Sequence, residues 1–133
     1  MRDIVPIKGA TTYTINLDPS VWIFDKRKIK LEPYIESGEK ITVKEREVSG
    51  SYGIPFEPFL KNAEPVPSAK QVICHLENGE QVRLSLTEAR EAILAFAQDG
   101  KPLKSDGPLH LIFGGSRRKE KPITHIVAFE VTE

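Results

Sequence analysis

The stretch AKQVICHLENGEQVRLSL, residues 69–86, carries the clearest structural signal in this chain. Two runs of alternating polar and apolar residues flank Asn78–Gly79. Alternation of period two marks half-buried strands, because successive side chains leave a strand on opposite faces. A type I′ turn requires positive φ at both central residues, and Asn-Gly tolerates that best, so the stretch predicts a hairpin turning at Asn78 and Gly79. LTEAREA (86–92) then reads as a helix start, with Thr87 as N-cap and acidic residues in the first turn.

Downstream, ILAFAQDGKPL (93–103) admits two readings. Helical spacing can continue through Ala97, or a strand can end at a second tight turn, Asp99–Gly100. LHLIF (109–113) and ITHIVAFEV (123–131) read as strands, the latter with Ile123, Val127, Phe129 and Val131 on one face. Upstream, TTYTINL (11–17) alternates with Tyr13, Ile15 and Leu17 on one face. VWIF (21–24) reads as a buried strand, DKRK (25–28) as polar, and IKLEPYI (29–35) as apolar with Pro33 at a sheet edge or turn. ITVKEREV (41–48) predicts a strand with a charged end. Pro55 is placed to open a short helix, with Phe56, Phe59 and Leu60 on one face and Pro65 and Pro67 ending it. The sum is a strand-rich α+β single domain, residues 1–133, with two or three short helices.

At 133 residues the chain can bury a core without staples. Its 19 cations balance 19 anions, so no long-range field draws it to nucleic acid or an anionic membrane. One cysteine, Cys74, makes no internal disulfide and no Cys-rich zinc site. No segment has the apolar core of a secretion signal or a membrane span, and the expectation is a cytoplasmic protein.

From Gly50 onward the chain resembles a known family. GSYGIPFEPFLKNAEP (50–65) looks like the W-x-G-V-P-L-x-x-L-L segment of sulfite-oxidase-type molybdopterin-binding domains. KQVICHLENGEQVRLSLTEA (70–89) is similar to that family's next hairpin and helix. ILAFAQDGKPLKSDGPLHLIFGG (93–115) and ITHIVAFEVTE (123–133) resemble its closing segments. The resemblance implies that fold over residues 50–133, with residues 1–49 outside it, and makes Ile93 to Gln98 a strand. The family ligates molybdenum through a cysteine thiolate in an upstream C-x-G-N-type motif. Here the counterpart lies near Lys44, whose ammonium cannot ligate. The resemblance therefore implies a domain that has lost its metal: no molybdenum chemistry and no cofactor. Residues 4–25, IVPIKGATTYTINLDPSVWIFD, are also similar to the openings of short proteins labelled peptidyl-prolyl isomerase.

Several residues are candidates for a site. Gly114 and Gly115 precede Arg117, Arg118, Lys119 and Lys121. Glycines admit a phosphate to the backbone and guanidinium groups grip it bidentately, so this loop, with Lys44, is a candidate anion or pterin-like ligand site. The plainer reading is a solvated turn. It lacks the spacing of a P-loop. Trp22, Phe24, Phe56 and Phe59 are candidates for an aromatic groove of the kind an isomerase needs, or for core. His75, His110 and His125 fall in predicted strands but share no metal-binding spacing. Cys74 and His75 are adjacent and so face opposite sides of a strand, which leaves Cys74 as a buried, inert thiol. No G-x-S-x-G nucleophile elbow is present, and no catalytic residues are assigned. The expectation is a non-catalytic domain that binds a protein or a small anionic ligand; anion binding at 114–121 and peptidyl-prolyl isomerisation are the alternatives.

Overall fold

Gly9 opens the loop after the first strand with φ 101°, and only glycine fits there: a Cβ would lie 2.4 Å from the Val131 carbonyl oxygen. That close approach follows from where the strand sits. In the computed structural model, which describes residues 4–44 and 46–133, β1 (Val5–Gly9) pairs in parallel with β10 (Ile126–Thr132), the last strand of the chain. Together with β2 (Ile15–Leu17), β5 (Gln71–Leu76) and β6 (Gln81–Ser85) they form one sheet in the order β2-β1-β10-β5-β6. A second sheet runs β3 (Ile29–Lys30), β4 (Tyr52–Pro55), β7 (Ile93–Gln98), β8 (Lys101–Pro102), with β9 (His110–Ile112) also on β7. The sheets share one core, to which Ile7, Leu17, Cys74, Leu84 and Phe129 contribute from the first and Ile54, Leu94, Phe96 and Leu111 from the second. The helices are α1 (Leu31–Ser37), α2 (Glu57–Ala63) and α3 (Leu86–Glu91). The protein is thus the strand-rich α+β domain expected. No helix among the described residues is long and apolar enough to cross a membrane.

The hairpin forms, but its turn differs from expectation. His75 pairs with Gln81 and Cys74 with Val82, and the Leu76 N–H donates to Glu80. Three residues therefore turn the chain, and of Asn78 and Gly79 only Gly79 has positive φ, at 92°. The cause is the apolar pattern. A two-residue turn would set Cys74 opposite Arg83 and point Val82 and Leu84 at solvent; the longer loop puts Val72, Cys74, Val82 and Leu84 on the core face. The true two-residue turn is Asp99–Gly100, with φ 52° and 78°, between paired Gln98 and Lys101.

Strand β7 is buried along nearly its whole length because both its faces are covered. Leu94 and Phe96 face the main core, while Ile93 and Ala95 pack with Ile29, Leu31 and Tyr34 under α1. A strand buried on two sides shows no alternation, which is why its sequence was ambiguous.

Other expectations are corrected. VWIF is no strand: Pro19–Phe24 is a 3-10 helix capped by Asp18, whose Oδ1 accepts from Ser20 N at 3.1 Å. With three residues per turn, Trp22 turns inward while Val21 and Phe24 face out. IKLEPYI becomes β3 and α1, because Pro33 falls in a first turn that needs no N–H donor. ITVKEREV forms only a bridge from Thr42 to Ile29; its Glu45 lies outside the described residues. Near its end the Glu47 carbonyl accepts from Lys28, and the adjoining Ser49 carbonyl accepts from the Tyr52 hydroxyl. Pro55 closes β4 and does not open a helix; Pro58 sits in the first turn of α2. The N-cap of α3 is Ser85, not Thr87, in a capping box with Glu88. Tyr13 lies outside β2 and is exposed, and a bulge between Ile126 and Ala128 turns Val127 outward.

Candidate functional site

The loop from Gly114 to Lys121 is drawn tight against its own chain. A Cβ on Gly114 would lie 2.2 Å from the Glu91 carbonyl oxygen, so glycine is required there by the end of α3. Gly115–Arg117 is a single 3-10 turn. Arg117 lies across the Phe113 ring at 4.2 Å, donates from Nε to Glu120 Oε2 at 2.9 Å and also meets Glu88. Arg117 holds the Glu120 carboxyl below the ordinary carboxylate range. Arg118 donates to the carbonyls of Ile35 and Glu36, both at 3.1 Å, and so caps the C-terminus of α1. Lys119 and Lys121 are exposed. The recess under the loop, about 140 Å³, sets Glu88 and Glu91 against Arg117, a balance that does not favour an anion. Lys44 sits elsewhere, beside Lys26, Val43 and Arg46 along a shallow recess that includes none of the loop residues.

The four aromatic candidates do not form a groove. Trp22 is buried against Phe59 and Phe96, with ring centroids 5.2 and 5.7 Å away. Phe56 is buried against Phe129 at 4.6 Å, while Phe24 projects into solvent. Two have joined the core, because a chain of this size needs its large apolar surface there. The histidines are dispersed as well. His75 Nε2 meets Glu130 Oε1 at 2.8 Å on the first sheet, whereas His110 lies on β9 of the second. His110 Nε2 approaches Asp106 Oδ1 to 3.0 Å, but off the line of a good N–H bond. Cys74 is wholly buried, and desolvation pushes its thiol up to about 12. A thiol sealed in the core is not placed to meet a substrate or a cofactor. The donor set therefore does not fit a molybdenum centre. Among the described residues, no three His, Cys, Asp or Glu side chains converge as a metal-binding group.

An open cleft lies where no motif pointed. The hairpin tip, the loop at Ser105 and the segment Pro122–His125 enclose a cleft of about 730 Å³. Leu76, Val82 and Ile123 supply apolar wall; Glu77, Ser105 and His125 supply polar groups. A second recess of about 290 Å³ shares Glu77 and Ser105 and adds Lys104. His125 holds φ 61°, a left-handed conformation that is uncommon outside glycine, though His adopts it more readily than most residues. Its N–H donates to Asp106 O at 2.8 Å, and its carbonyl accepts from Glu77 N at 2.9 Å. One residue thereby ties two rims of the cleft together. No local signal announces this, since the three segments are distant in the chain and carry no shared spacing.

No family model matches the chain, and no curated protein resembles it in sequence. Its fold is similar to that of a solved structure, the sulfane dehydrogenase SoxCD from Paracoccus pantotrophus, with TM-score 0.62 and 12% identity. The match covers 96% of this chain and 37% of that one, so this chain spans little more than a third of its neighbour's length. Identity so low speaks to fold alone. It is consistent with the sulfite-oxidase-like domain that residues 50–133 resemble. The coverage also takes in most of residues 1–49.

Proposed function

We propose that this chain is a non-catalytic binding domain, a sulfite-oxidase-like fold without metal chemistry, whose partner is a protein or a small anion. One observation carries the reading: the single thiol, Cys74, faces the core of the first sheet with its proton held to about pH 12. Lys44, the counterpart of the family's ligand cysteine by resemblance, carries an ammonium that cannot replace the missing sulfur. Elemental analysis of the purified protein tests this. Neither molybdenum nor tungsten is expected at stoichiometric level, and either would overturn it.

Anion binding at Gly114, Gly115, Arg117, Arg118, Lys119 and Lys121 is the second reading. The exposure of Lys119 and Lys121 supports it; the engagement of both arginines by protein oxygens weighs against it. Titration with inorganic phosphate separates the two. Affinity unchanged by Arg117→Ala and Arg118→Ala would remove the loop as a site.

A further inference from the structure

We propose that the cleft between the hairpin tip, Ser105 and Pro122–His125 binds a small molecule with a primary ammonium on an apolar body. Glu77 meets the ammonium, and Leu76, Val82 and Ile123 take the body. Three observations on this end of the molecule converge. A volume of about 730 Å³ matches a small ligand, and the cleft sets Leu76, Val82 and Ile123 beside its polar groups, so it offers both kinds of contact. Among the described residues that line the cleft, Glu77 is the one carboxylate, and none is a lysine or an arginine. Finally, the cleft is preformed. Two loops hold the His125 backbone, at φ 61°, through its N–H and its carbonyl. A cleft held in this way loses little entropy on binding.

The test is an amide NMR titration of the full chain with three probes of one shape: benzylamine, benzyl alcohol and benzoate. Benzylamine should give saturable shifts at Leu76–Asn78, Val82, Ser105 and Ile123–His125. Benzyl alcohol should bind about two- to fivefold more weakly, the difference expected of a partly exposed ion pair, and benzoate not at all. Glu77→Gln should bring benzylamine down to the level of the alcohol. Glu77 is exposed at the hairpin tip, so the variant's own spectrum shows that it folds. The proposal fails if benzylamine gives no saturable shift, if the shifts lie elsewhere, if the alcohol or benzoate binds as tightly, or if Glu77→Gln changes nothing. Metal content, which tests the preceding reading, bears on none of these outcomes.

Discussion

The ammonium of Lys28 has no exposed surface; it lies 2.6 Å from the Ile23 carbonyl, against the Glu47 carbonyl, and 4.7 Å from the Tyr52 ring centre. DKRK reads as polar in sequence, yet one of its lysines fastens the 3-10 turn to the 46–49 segment across the Tyr52 ring. Lys28→Met keeps the volume and removes the donor from both carbonyls. Urea unfolding should show a loss of about 1–3 kcal/mol, the usual cost of stranding buried polar groups. Gly114 offers a sharper choice. Its Cβ would overlap the Glu91 carbonyl, so Gly114→Ala should destabilise by about 1–3 kcal/mol, as overpacking does. A glycine kept only to admit a ligand would tolerate alanine with no change in the thermal midpoint.

Capping distinguishes two readings of α3. The Ser85 hydroxyl accepts from Glu88 N at 3.0 Å, and Glu88 Oε1 accepts from Ser85 N at 2.8 Å. Ser85→Ala should therefore cost about 0.5–2 kcal/mol, while Thr87→Ala should cost far less. Denaturation midpoints of the two variants decide between the caps. Thr87 falls inside the helix, at its second residue, and the capping-box spacing from Ser85 to Glu88 was available in the sequence. The three-residue hairpin loop was equally legible, because register must keep Val82 and Leu84 on the face of Val72 and Cys74. The end of β7 was not: six residues of unbroken burial look alike in helix and strand until α1 is seen to cover the second face.

Assembly of the whole domain depends on the first 49 residues. β1 lies between β2 and β10, and α1 covers Ile93, Ala95 and Ile112. A fragment of residues 50–133 would leave β10 with an open edge and that apolar face bare. It should show no cooperative unfolding transition in circular dichroism against urea, whereas the intact chain should show one. A fragment that unfolds cooperatively would make the N-terminal segment an accessory to a complete core.

The sequence by itself determined the fold class, the hairpin at residues 71–85 and the burial of Cys74. Each rests on a period or a turn preference confined to a few neighbouring residues. Tertiary structure alone decided that Lys28 is buried, that Arg118 caps α1, and that Glu77, Ser105 and His125 share a cleft. Those outcomes depend on contacts between segments tens of residues apart, and the free energy of such contacts leaves no local pattern to read.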